Sequence, residues 1–126
     1  MKLILPRMPG LNEYIGAERS NKHAAAGMKR QCERDIRMCI RAQWKGKVRF
    51  QRPVTIRYLW VEKNRRRDKD NIAFAKKFIQ DSLVKEKVIQ NDGWKEIDSW
   101  SDEFLVDAQH PHVEVEIEEN EDIGSL

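Results

Sequence analysis

The sequence of 126 residues holds two cysteines, Cys32 and Cys39, seven apart in a helical pattern. That excludes a disulfide framework and a thiolate zinc site, and it suits a reducing cytoplasm. No apolar run approaches the roughly 20 residues that cross a bilayer, so a membrane role is not expected. Met1–Pro6 is too short and wrongly flanked for a signal peptide. The six glycines are scattered, which leaves no glycine-rich phosphate loop. There is no Ser/His/Asp arrangement, internal repeat or low-complexity linker. His110 and His112 flank Pro111 and lack a third ligand, so they read as a turn; His23 reads as a helix start. From Glu96 to Leu126 there is not one Lys or Arg, against 11 acids.

The positive charge lies elsewhere. Glu18 to Arg67 carries 16 Lys and Arg against 4 acids, an asymmetry hidden by the net charge of +3. A basic front half suits a polyanion such as nucleic acid, bound through phosphate contacts and counterion release; two solvated faces would give the same counts. The length suits one domain that buries roughly two thirds of its unfolded surface.

Along the chain, Lys2–Leu5 reads as a short strand stopped by Pro6, Pro9 and Gly10, and Leu11–Tyr14 as an irregular loop. From about His23 to Trp44 the period is helical. Met28, Cys32, Ile36, Cys39 and Ile40 form an apolar face, and Arg30, Arg34, Arg37 and Arg41 a second stripe about 200° away. That stripe is either a solubilising face or a phosphate-contacting one. Gly46 ends the helix. Val48 and Phe50 suggest a strand running into Pro53. Val54, Ile56, Tyr58 and Trp60 then mark the clearest strand, which aims at Arg65-Arg66-Arg67-Asp68-Lys69-Asp70-Asn71. Asp70 or Asn71 caps a helix to about Lys87 that buries Ala75, Phe78, Ile79, Ser82 and Leu83. Asn91-Asp92-Gly93 is a turn, and Trp94–Val106 reads as two short half-exposed segments. Val113–Glu118 alternates as a strand with one wet face. Residues 119–126 form an acidic tail, which could screen the basic surface until DNA displaces it. The order implies one α/β domain with a mixed sheet.

Asp68 and Asp70, at i and i+2, share a face if they end a strand. Close carboxylates repel unless a cation lies between them, and a hard divalent ion fits. The bland alternative is a helix cap at the positive end of the macrodipole. A calcium loop fails, because Ala73 stands where glycine is needed and Ile79 where glutamate is needed. Along a continuous helix, Lys77 and Asp81 return to within about 20° of Asp70. Lys77 could then stabilise charge on a phosphate, or simply pair with Asp81.

The run Arg66-Arg67-Asp68-Lys69-Asp70-Asn71, the lysine-bearing helix ending Asp81-Ser82-Leu83, and Val88-Ile89-Gln90-Asn91-Asp92 together resemble the RusA-like Holliday junction resolvases. Leu5-Pro6, Pro9 and Asn12-Glu13-Tyr14 are more loosely similar to that family's opening strand and loop. The resemblance implies a homodimeric crossover junction endodeoxyribonuclease of DNA recombination and repair, cytoplasmic, dependent on Mg²⁺ with Mn²⁺ as a substitute. The implied fold is a single α/β domain over residues 1–118, a mixed sheet packed with two main helices. Asp68, Asp70 and Asp92 match the family's metal-binding acids, and Lys77 its active-site lysine. The sequence departs from the family pattern in two places. The Asp70–Asp81 interval is about one helical turn longer, which keeps Lys76 as a rival, and Asn91 stands where a second acid is usual.

The expected mechanism is hydrolysis of a four-way junction, with catalytic Asp68, Asp70, Lys77 and Asp92. Arg65, Arg66, Arg67, Lys76, Arg30 and Arg34 would dock the DNA backbone. A noncatalytic nucleic-acid-binding module, or a metal nuclease acting on flaps or RNA, would use the same residues. The Met28–Ile40 face and the strand edges are the candidate dimer surfaces.

Overall fold

The computed structural model describes residues 1–121. In chain order the elements are β1 (Lys2–Pro6), α1 (Leu11–Ser20), α2 (Lys22–Trp44), β2 (Val54–Glu62), α3 (Lys69–Ala73), α4 (Lys76–Lys85), β3 (Ile97–Val106) and β4 (His112–Glu119). The strands form one mixed sheet in the order β1-β4-β2-β3. β4 is antiparallel to both β1 and β2, whereas β3 runs parallel to β2 after the α3–α4 crossover. The α/β class expected from the element order is the one observed.

One face of the sheet is dry. Leu3 and Leu5, Ile56, Tyr58 and Trp60, and Val113, Val115 and Ile117 are buried against Ile36 and Ile40 of α2 and Phe78, Ile79 and Leu83 of α4. Full burial of each such side chain stabilises the fold by about 1.5–3 kcal/mol. The other face carries the charged half of the alternation, with Lys2 paired to Glu114 and Arg57 to Glu118, both at 3.2 Å. At the outer edge of β1, Gln43 bonds both backbone groups of Ile4: its Oε1 accepts from Ile4 N (2.9 Å) and its Nε2 donates to Ile4 O (2.7 Å). Asn21 caps α2 by accepting from Ala24 N. Lys45 (φ 53°) and Gly46 (φ 71°) end it in left-handed conformations, which glycine adopts at no steric cost.

Four expectations need correction. Residues 11–14 are not a loop but the first turn of α1, whose Glu13 carboxylate accepts from Gly10 N. Val48 and Phe50 are not in a strand; Phe50 N donates to Val88 O instead. The helix expected from Asp70 to Lys87 is two helices. Between them, Lys77 N and Phe78 N reach back only three residues, to Phe74 O and Ala75 O. Phe74 packs there against Tyr14 and Phe78, at ring separations of 5.4 Å each. This tightened turn lies inside the long Asp70–Asp81 interval, and it removes the continuous-helix geometry that aligned Asp70 with Lys77. Residues 97–106 form a single strand, because the backbone ladder to β2 holds an edge whose side chains are mostly wet. Of the acidic tail, Glu119 belongs to β4 and accepts from the Gln51 and Arg52 backbones. Residues 122–126 lie outside the described residues.

Candidate active site

β2 ends in a charge. Glu62 is buried, and Arg67 meets it with two parallel hydrogen bonds, Nε to Oε1 at 2.9 Å and Nη2 to Oε2 at 2.8 Å. Arg7 stands 3.7 Å from the same carboxylate. Nη1 of Arg67 also donates to Met8 O and to Glu13, which ties the loop to α1. A second tie comes from within α3: Asn71 Oδ1 accepts from Asn12 N at 2.9 Å. Gly10 is needed beneath both, since a Cβ there would fall 2.5 Å from Asn71 Oδ1 and 3.0 Å from Arg67 Nη1. Arg67 is therefore engaged in bracing the loop, with its side chain 13% exposed.

Asp68 and Asp70 sit between these braces, both exposed. Asp68 occupies the N-cap of α3, yet its side chain makes no capping bond. Among the described residues, the Asp70 carboxylate accepts from Asn71 N, its neighbour, alone. A capping hydrogen bond thus accounts for neither carboxylate, although both lie at the start of α3, at the positive end of its dipole. Asp68 borders an open cleft of about 630 Å³, with Glu62, Arg65, Lys69 and Phe104.

The two lysines at the start of α4 differ. Lys76 is 17% exposed and is bonded to Asp102; its ammonium lies 5.5 Å from the centre of the Tyr58 ring and 5.1 Å from that of Trp100. Asp102 also accepts from Trp60 Nε1 at 2.8 Å, and the Tyr58 hydroxyl accepts from Gln80 at 3.1 Å. Lys77 is 63% exposed and bridges Asp81 (3.1 Å) and Asp92 (3.5 Å). The hydrogen bond to Asp81, together with the charges of Asp81 and Asp92, holds its ammonium above the ordinary lysine value against slight burial. Lys77 and Asp92 border a second cleft of about 620 Å³, with Gln80, Trp94, Asp98 and Trp100.

Of the sequence-predicted residues, the structure brings Lys77 to Asp92 and keeps Asp68 and Asp70 at one helix start. Asp68 and Asp92 border different clefts. Among the described residues, no three His, Cys, Asp or Glu side chains are grouped as metal ligands. The donor chemistry, carboxylate oxygen only, is that of a hard divalent cation. Arg65 and Arg66 are exposed and, among the described residues, make no ion pair. On α2, Arg30 and Arg34 border a trough of about 410 Å³. Arg37 and Arg41, in the same stripe, are bound to Glu86 at 2.7 and 2.8 Å. The Met28–Ile40 face is turned into the core, with Cys32, Ile36 and Ile40 buried, so it is not a dimer surface. No helix among the described residues is long and apolar enough to cross a membrane.

Sequence reasoning missed Glu62 and Asp102. A glutamate ending an apolar strand five residues before an arginine was a signal for the first. Nothing in the wet pattern of β3 marks the second.

A family model described as Endodeoxyribonuclease RusA matches residues 14–118, most of the chain. No curated protein matches it at a significant level.

Proposed function

The chain belongs to the RusA endodeoxyribonuclease family, and from that premise we propose that it resolves four-way DNA junctions in recombination and repair, using Mg²⁺ with Mn²⁺ as a substitute. The observation that carries this reading is the pair Asp68 and Asp70. Their carboxylates stay exposed and uncapped on a turn braced from both sides by Arg67–Glu62 and Asn71–Asn12. Exposed acids on a braced support, one of them held by the neighbouring Asn71 N, fit a binding site better than a structural one.

In this reading Asp68 and Asp70 would hold a divalent ion, with Asp92, which borders the other cleft, brought to it when DNA binds; the bound ion would polarise the phosphate and lower the pKa of a coordinated water. Lys77, kept protonated by Asp81, donates to the phosphate oxygens as negative charge builds on them. Arg65 and Arg66 engage the backbone of the cleaved strand, and Arg30 and Arg34 a duplex arm. Lys76 supports the α4–β3 contact through Asp102 rather than meeting DNA. A four-way junction presents two equivalent strands, so a two-fold homodimer supplies two matching sites.

The test is cleavage of a synthetic four-way junction, linear duplex and single-stranded RNA, each with Mg²⁺ and with EDTA. Junction nicking in Mg²⁺ alone is expected, reduced in Asp70→Asn by roughly a hundredfold or more, beyond the loss typical of an outer-sphere residue. Equal rates on all three substrates would overturn junction selectivity. Undiminished Asp70→Asn activity would overturn the metal site.

A further inference from the structure

Trp94 is fully exposed, at 101% of its reference area, and Trp100 is 52% exposed. Exposed indoles on a chain with this much charge need a reason, because apolar surface of that size is ordinarily buried. Neither belongs to the core cluster, and both border the same cleft as Lys77 and Asp92. The largely buried Lys76 ammonium, 5.1 Å from the centre of the Trp100 ring and bonded to Asp102, holds that indole in place. Trp94 follows Asp92 by two residues, at most about 7 Å of backbone, roughly the spacing of two stacked nucleotides.

We propose that Trp94 and Trp100 form a stacking platform for an unstacked nucleobase within one or two nucleotides of the phosphate that Lys77 and Asp92 engage. The inference rests on the nuclease reading of that site and adds a base contact to it. An indole stacks on any base, and a base freed at a branch point leaves a π-face to be covered. Of the remaining lining, Gln80 is buried and donates to the Tyr58 hydroxyl, and Asp98 accepts from Asn120, which leaves the two indoles as the principal contact surface. A protein-docking patch would instead continue as apolar surface around the two rings.

The experiment uses the full chain carrying Asp70→Asn, so that DNA stays intact, and measures affinity for a four-way junction by fluorescence anisotropy. Trp94→Ala is added to the protein, and single abasic sites are placed in turn around the crossover. On the intact junction Trp94→Ala should weaken binding about tenfold or more, the usual range for loss of one aromatic–base stack. At one position the abasic junction should bind as weakly, and Trp94→Ala should then cost nothing further. Trp94→Phe should restore most of the affinity. Equal effects of Trp94→Ala at every abasic position would overturn the platform while leaving junction binding intact. So would a loss of self-association in sedimentation with unchanged DNA affinity. A protein that binds no branched DNA at all would remove the nuclease reading and the platform together.

Discussion

Arg67 and Glu62 are joined by two parallel hydrogen bonds of 2.9 and 2.8 Å across the loop that leads into Asp68 and Asp70. The three consecutive arginines are therefore not equivalent: Arg67 faces inward, while Arg65 and Arg66 stay exposed. Arg67→Ala should destabilise the protein by about 3 kcal/mol, at the lower end for breaking a buried pair because Arg7 remains beside Glu62. Arg65→Ala should leave the urea midpoint unchanged, weaken DNA binding, and lower the salt slope by about one. Equal midpoints for the two variants would refute the distinction.

The adjacent lysines should separate in the same way. Lys76→Ala leaves Asp102 half-buried without its cation, at a cost of about 1–3 kcal/mol, measurable by urea unfolding. Lys77→Ala should keep its stability, since an exposed i,i+4 pair is worth a few tenths of a kcal/mol, and should lose roughly a hundredfold in kcat. Thermal melts and single-turnover rates on the same two proteins decide it.

On α2 the arginine stripe divides by partner. Arg30→Ala and Arg34→Ala should each reduce the dependence of DNA affinity on salt by about one unit of slope. Arg41→Ala should reduce it less, because Glu86 already holds that guanidinium; the hydrogen bond from Arg41, then that from Arg37, keep the Glu86 carboxyl below the usual range despite partial burial. Equal slopes for all three variants would show that the Glu86 contact does not withhold Arg41.

Burial first, then the charges of Asp35, Glu13 and Glu33, push the Cys32 thiol up to about 11 from its ordinary 9.0. The native state thus retains a proton that the unfolded chain gives up. Its contribution to stability is complete below pH 9 and declines as the pH rises from about 9 toward 11. Native Cys32 should resist iodoacetamide at pH 8, and reaction as fast as in urea would contradict its burial.

The sequence showed the elements with a strong period and missed those defined by their neighbours. Alternation placed β4 and most of β2, because each has one dry face. The spacing of Cys32, Ile36 and Ile40 placed α2. α1 was missed, because none of its residues is buried and Pro9-Gly10 read as a stop. β3 was split in two, because an edge strand is held by backbone pairing, which leaves no mark on side-chain pattern. At the candidate site, Asp68, Asp70 and Lys77 stood out by residue type, but the helical spacing that aligned Lys77 with Asp70 does not survive the break between α3 and α4, and the support was not read. The Glu62–Arg67 brace spans five residues and left a signal that went unread, whereas Asn12 and Asn71 lie 59 residues apart in different elements, and local sequence does not encode such a pair.

The amide of Gln43, bonded to both sides of Ile4, makes the sheet unequal at its two ends. A strand can add beside β3, but at β1 the incoming backbone meets donors and acceptors already taken. If two copies join through β3, the combined sheet has a guarded β1 at each extremity, so growth terminates at a pair. Gln43→Ala would free Ile4 while Trp44 Nε1 still donates to Lys2 O at 3.2 Å, so it should weaken that stop, and concentration-dependent light scattering should then reveal larger assemblies. A side chain remote from the proposed chemistry would in this way set the number of subunits, and with it the number of strands cut together.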